Sequence, residues 1–181
     1  NVKTLVYTSS MAVYGPRDNA KETDLLLPVS PYGISKACGE HYVKYASELN
    51  PSLRWVIYRI FNCYGPHQAT KNLTQGLASI FLNQIHNGNK IEVKGSLDRY
   101  RDLIYIDDVI NALLLPLEQT KIQGVYNICS GQKTTLKMLI ESILEIANKS
   151  EAPKIENIGG HPGDPHGVYG DNTQLCRWGW K

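Results

Sequence analysis

At 181 residues the chain is long enough for one ordinary domain with a sizeable core and leaves little room for a second. With 42% hydrophobic and 20% charged residues it has a globular composition, which excludes a disordered or fibrous chain. Nineteen Lys and Arg against seventeen Asp and Glu leave a formal charge of +2, too balanced for a nucleic-acid or membrane footprint.

In chain order, Thr4 to Thr8 reads as a strand, Ser35 to Leu49 as a helix and Leu53 to Arg59 as a second strand. Asn72 to His86 reads as a helix closed by Gly88, followed by short strands at Ile91 to Lys94 and Leu103 to Ile106. The next helix, Asp108 to Gln119, has Asp107 and Asp108 at its start, where the macrodipole favours carboxylates. Val125 to Cys129 is a strand, and Leu136, Leu139, Ile140, Ile143, Leu144 and Ala147 recur at helical spacing. A last strand, Ile155 to Ile158, precedes a Gly/Pro-rich loop from Gly159 to Gly170. This alternation predicts an α/β sheet with crossover helices. The longest apolar stretches, such as Ile110 to Leu117, fall far short of a membrane span.

The four cysteines, Cys38, Cys63, Cys129 and Cys176, lie far apart with no CxxC pair, pointing to a reducing, cytoplasmic setting without a zinc site or disulfide scaffold. The five histidines are scattered, so no metal is expected. No two of the fifteen glycines are separated by a single residue, so the G-x-G-x-x-G dinucleotide fingerprint is absent. Gly160-x-x-Gly163 imitates it only loosely and reads as a surface loop.

The chemistry centres on Tyr32 and Lys36, four apart and therefore on one helix face. A nearby ammonium favours the phenolate, which suits Tyr32 to general-base work. Eleven tyrosines and thirteen lysines make a bare Tyr-x-x-x-Lys an event expected about once by chance, so the context has to decide. Upstream, the first strand runs into Ser9-Ser10-Met11-Ala12-Val13-Tyr14-Gly15, and the carboxyl end of a parallel strand is where an open α/β sheet places its ligand.

Together with Ser30-Pro31-Tyr32-Gly33-Ile34-Ser35-Lys36, that segment resembles the extended short-chain dehydrogenase/reductase family, in its nucleotide-sugar epimerase/dehydratase branch. The resemblance continues through Arg59-Ile60-Phe61-Asn62-Cys63-Tyr64-Gly65-Pro66, Arg101-Asp102-Leu103-Ile104-Tyr105-Ile106-Asp107-Asp108-Val109, Tyr126-Asn127-Ile128 and Pro162-Gly163-Asp164-Pro165. It implies an α/β fold: the C-terminal part of a Rossmann-like, doubly wound parallel sheet with a small α/β substrate-binding subdomain. Residues 1–60 would belong to the NAD-binding part, with elements around 100–130 returning to it, and 61–181 mainly to the nucleotide-sugar part. By the same resemblance Ser10, Tyr32 and Lys36 are the catalytic set, and Ser9, Tyr32, Lys36 and Ile60 face NAD. Ser10, Tyr32, Asn62, Asn72, Leu73, Arg101, His161 and Asp164 face the nucleotide sugar. For Arg101 a surface salt bridge to Asp98 or Asp102 is the alternative.

Departures from the pattern refine the expectation. His161 stands where relatives often have an Arg, and Met11-Ala12 stand where the 4,6-dehydratase branch carries an Asp-Glu pair. Neither Met nor Ala transfers a proton. The expected activity is therefore NAD-dependent 4-epimerisation of a UDP-hexose or UDP-N-acetylhexosamine through a keto intermediate. The alternatives are a dehydratase or reductase of the same family, or a non-catalytic truncated paralogue. Small residues at Gly167 and Val168 hint at room for an N-acetyl group. The chain begins with Asn1 and reads as cut from something longer, lacking an N-terminal half on the order of 100 residues with the Gly-rich turn, so that this piece alone is expected to be inactive. A homodimer is expected through the helix carrying Tyr32 and Lys36, where Tyr42, Tyr45, Ala46 and Leu49 form an apolar strip that alternatively packs on the sheet.

Overall fold

The computed structural model describes residues 2–69, 76–88, 90–148, 153–159 and 166–181. Strand β1 (Thr4–Ser10) leads through a 3-10 turn (Met11–Val13) to β2 (Arg17–Ala20), helix α1 (Pro31–Leu49), β3 (Arg54–Ile60) and β4 (Asn62–Tyr64). Helix α2 (Leu77–Asn87), β5 (Lys90–Val93), β6 (Tyr100–Arg101), β7 (Leu103–Tyr105), α3 (Ile106–Glu118) and β8 (Gly124–Ile128) follow. The last elements are β9 (Thr134–Thr135), α4 (Leu136–Ile146), β10 (Lys154–Asn157), β11 (Gly167–Gly170) and α5 (Thr173–Cys176).

A parallel sheet in the order β1-β3-β8 forms the base, with Ser10 opposite Ile60 and Ile60 opposite Ile128. Strand β3 is buried along most of its length, as a central parallel strand covered on both faces must be. Its alternation sorts the two faces. Val56 and Tyr58 pack with Val109 and Ala112 of α3, Ile122, Tyr126 and Ile128, while Arg59 points to the side covered by α1. Helices on both faces make this the doubly wound arrangement expected.

Helix α1 begins at Pro31, four residues before the sequence pattern predicts. Ser30 caps it by accepting a hydrogen bond from the Gly33 amide at 3.1 Å, and proline suits the first helical position because its missing N–H has no partner there anyway. Gly33, Ala37, Glu40 and Val43 form its buried face. Tyr42, Tyr45 and Leu49 are 75%, 58% and 70% exposed, so the strip does not pack on the sheet, which corrects that alternative.

Above the sheet, Phe81 and Ile85 of α2, Ile91 and Val93 of β5, and Leu136 and Ile140 of α4 build a second small core. Strand β10 pairs with β5 in parallel, and a four-stranded sheet runs β2-β11-β6-β9. Strand β4 pairs with β7, carrying the end of the main sheet into this upper layer. Strand β11 takes up the last four residues of the predicted Gly159 to Gly170 loop, and β2 falls where the sequence pattern predicts no element. Their pairing, Val168 with Arg17 and Gly170 with Ala20, is made only in the tertiary structure.

Candidate active site

Ser10 ends β1 in extended conformation and caps the following turn, its Oγ accepting from the Ala12 amide at 3.2 Å. Gly15, at a φ of +69°, then turns the chain toward β2 in a conformation that side chains resist. The first turn of α1 settles over this segment, because Gly33 has no side chain to meet the Ala12 carbonyl. Tyr32 is thereby held at the carboxyl end of the sheet, 56% exposed as a residue. Lys36, one turn on, reaches down and donates from Nζ to the Thr8 carbonyl at 2.8 Å. Its ammonium lies 5.3 Å from the centre of the Tyr7 ring and 5.8 Å from that of Tyr32. Ser10, Tyr32, Lys36 and Ile60 thus gather at the strand ends, where a parallel sheet binds ligands.

Beneath them is a buried polar network. The Arg59 guanidinium grips Glu40 with a fork, Nε to Oε1 at 2.9 Å and Nη2 to Oε2 at 2.7 Å. Ser9 Oγ donates to the same Oε1 at 2.6 Å, so the Ser9 hydroxyl faces inward. Arg59 Nη1 also donates to the Tyr14 hydroxyl at 2.9 Å and to the Glu22 carbonyl at 3.1 Å. Tyr14 in turn donates to Asn127 Oδ1 at 2.6 Å. Burial pushes the Tyr14 phenol well above its ordinary range, outweighing Arg59, and keeps it a neutral donor.

On the upper layer, Asn62 gives both its amide and its side-chain N–H to the Asp102 carbonyl, each at 3.1 Å. Arg101 donates to the Tyr100 carbonyl at 2.7 Å and borders a cavity of about 510 Å³, which Leu77, Ile80, Gln84, Lys94 and Arg99 also line. Lys94, Arg99 and Arg101 bring positive charge to this cavity and Glu92 brings a carboxylate, so a ligand there meets charges of both signs. Asp102 is fully buried, and its carboxylate accepts from the Ser130 amide and hydroxyl, both at 2.7 Å, from Gly131 at 3.0 Å and from Gly170 at 3.2 Å. Gly167 lacks a side chain because the Tyr100 ring lies against it, and Val168 packs in the core with Phe61 and Cys129, so neither borders that cavity. Asn72, Leu73, His161 and Asp164 lie outside the described residues.

Glu40, Arg59 and Asp102 are the polar residues that sequence reasoning missed. A signal exists for the first two: Arg59 interrupts an apolar strand, and a buried guanidinium requires a carboxylate. Glu40, four residues after Lys36, is placed to supply it.

The model of the NAD dependent epimerase/dehydratase family matches residues 1–129. The chain belongs to this family. A dTDP-4-dehydro-6-deoxyglucose reductase of Escherichia coli is 40% identical over 149 residues, covering 81% of this chain and 46% of the relative. Among solved structures, the UDP-N-acetylglucosamine 4-epimerase of Methanobrevibacter ruminantium M1, in complex with UDP-N-acetylmuramic acid, superposes with a TM-score of 0.92 at 31% identity. It is covered over 58% of its length by all of this chain. The UDP-glucose 4-epimerase of Thermus thermophilus, in complex with NAD, gives 0.88 at 30% identity, with 99% of this chain matching 58% of it. The chain therefore spans about half the length of these epimerase/dehydratase relatives. Among the described residues, no helix is long and apolar enough to cross a membrane.

Proposed function

We propose that the protein is an NAD-dependent 4-epimerase of a nucleotide sugar, a UDP-hexose or UDP-N-acetylhexosamine. The observation that carries the reading is the Lys36 ammonium, held by the Thr8 carbonyl beside the Tyr32 ring, at a strand end that continues into Ser10-Met11-Ala12 with no carboxylate in the turn. The residues fit the cofactor: an ammonium has three protons, and the Thr8 carbonyl takes one, which leaves donors for the hydroxyls of a ribose. NAD, when bound, accepts a hydride from the sugar carbon and later returns it. Tyr32 takes the proton of the sugar hydroxyl, Ser10 shares that hydrogen bond, and Lys36 stabilises the charge that develops on the phenol oxygen. The same groups return the proton after the keto sugar has turned over. Loss of water would need an acid and base close by, and Met11 and Ala12 supply neither.

In this reading residues 1–60, with elements around 100–130, face the cofactor, and 61–181 mainly face the nucleotide sugar through Asn62 and Arg101. Asn72, Leu73, His161 and Asp164 are assigned to that face from the sequence alone. The exposed Tyr42, Tyr45 and Leu49 of α1 supply the apolar surface for a homodimer.

The identity with the E. coli reductase favours a second reading, net reduction of a 4-keto sugar by the same Ser10, Tyr32 and Lys36. Product analysis separates the two. The full-length protein with UDP-glucose or UDP-N-acetylglucosamine is expected to yield the C4 epimer without net change in NADH absorbance. Stoichiometric oxidation of a reduced nicotinamide with a dTDP-4-keto-6-deoxy sugar, and no epimer from either UDP sugar, would overturn the epimerase reading in favour of the reductase.

A further inference from the structure

We propose that Glu40 is a positioning residue for Tyr32 and Lys36, acting through Arg59 and Ser9; the proposal rests on the proton-transfer role just assigned to that pair. Tyr32, Lys36 and Glu40 follow one another at intervals of four along one broad stripe of α1. Each of the three meets the sheet differently. Tyr32 is at the exposed end. Lys36 makes one hydrogen bond from a rotatable ammonium on a flexible stem, which fixes distance but not orientation. Glu40 is fully buried and has both oxygens engaged, at 2.6, 2.7 and 2.9 Å.

The bonds to Glu40 are directional. Two parallel N–H···O bonds from a planar guanidinium tolerate little rotation of the carboxylate, and therefore little rotation of the helix that carries it. Their anchors are also placed to matter. Ser9 immediately precedes Ser10, Arg59 immediately precedes Ile60, and Ser10 and Ile60 are paired across β1 and β3. The same guanidinium holds Tyr14 and the Glu22 carbonyl, beyond the Met11–Val13 turn. One carboxylate thus ties the helix bearing Tyr32 to the strand end bearing Ser10. With a helix radius of ~5–6 Å including side chains, a rotation of about 20° moves a side chain by roughly 2 Å. A misplacement of about 1 Å at reacting atoms is enough to cost on the order of 100-fold in rate.

The test uses the full-length protein and three variants: Glu40→Gln, Glu40→Asp, and Ile122→Ala as a destabilised control whose cavity lies in the core under α3. Glu40→Gln is expected to lower kcat about 100-fold with KM for the nucleotide sugar within about twofold, and Glu40→Asp to recover part of the loss by keeping the charge. Ile122→Ala, assayed below its melting temperature, should leave kcat within about twofold. By hydrogen exchange, the amides of residues 33–37 should exchange roughly 10-fold faster in Glu40→Gln and keep their rate relative to the rest of α1 in Ile122→Ala. If Glu40→Gln does not fold, Glu40→Asp carries the same comparisons with the same signs. Equal losses of kcat in the Glu40 variants and in Ile122→Ala, or unchanged local exchange in both Glu40 variants, would overturn the proposal. If the wild type turns over no nucleotide sugar, the epimerase and reductase readings fail, while the exchange comparison still decides whether Glu40 orients the first turns of α1.

Discussion

Replacing Asp102 by Asn perturbs a single oxygen at the junction of three elements. Asparagine keeps one carbonyl oxygen for the Ser130 amide and hydroxyl but turns Oδ2, which accepts from Gly131 and Gly170, into an NH2 donor. Two backbone N–H groups, one of them buried, then face a donor. An unsatisfied buried amide costs about 1–3 kcal/mol, so Asp102→Asn should lose on the order of 3–4 kcal/mol. For a chain of this size that is a drop of roughly 8–15 °C in melting temperature. Burial also raises the Asp102 carboxyl above its ordinary value despite its four hydrogen bonds. The folded state then holds this proton to higher pH than the unfolded state. Its contribution to stability is fully present below the unfolded carboxylate value near 4 and is lost as pH rises through the higher folded value. Urea unfolding of wild type and Asp102→Asn from pH 4 to 7 should therefore show a gap that narrows as pH rises. A loss under about 1 kcal/mol at every pH, or a gap that widens with pH, would refute this account of the junction.

Two further substitutions probe the packing that sets the site. Among the described residues the Tyr58 hydroxyl is buried without a hydrogen-bond partner, so Tyr58→Phe should match or exceed wild-type stability by up to about 1–2 kcal/mol in urea melts; a loss beyond about 0.5 kcal/mol would contradict this. A side chain at Gly39 would collide with the Tyr7 hydroxyl, so Gly39→Ala should destabilise by about 1 kcal/mol instead of gaining the ~1 kcal/mol usual for Gly→Ala in a helix. Adding Tyr7→Leu, which removes both the hydroxyl and the ring carbon that bears it, should restore part of that loss in a double-mutant cycle, and strict additivity would locate the strain elsewhere.

What the sequence makes legible follows from which forces are local. Helix α4 announces itself through Leu136, Leu139, Ile140 and Ile143, and α3 through its apolar spacing and Asp107 and Asp108, because periodicity and caps are carried by neighbouring residues. The start of α1 is equally local: Ser30-Pro31 is a cap followed by a first-turn proline, and a start at Ser35 overlooks it. Arg17–Ala20 and Gly167–Gly170 show neither alternation nor β-branched enrichment, since these strands exist only by pairing with each other and with β6. Within the site, the Tyr32 and Lys36 spacing, the Ser10 strand end and Ile60 beside it are legible. The Glu40, Arg59 and Ser9 network is legible only in part: Arg59 inside an apolar strand signals a need for a carboxylate, but its pairing with Glu40 and the inward turn of Ser9 are set by the packing of α1 on the sheet. The exposure of Tyr42, Tyr45 and Leu49 depends likewise on which face of α1 the sheet covers.

The most direct test of the central claim is turnover of a nucleotide sugar by the full-length protein and its Tyr32→Phe variant, with folding checked by circular dichroism and NAD and UDP binding measured by calorimetry. Removing a positioned general acid and base should lower kcat by about 10²–10⁴-fold while both ligands still bind. A folded, NAD- and UDP-binding Tyr32→Phe protein that turns over within about tenfold of wild type would contradict the assignment of proton transfer to this phenol.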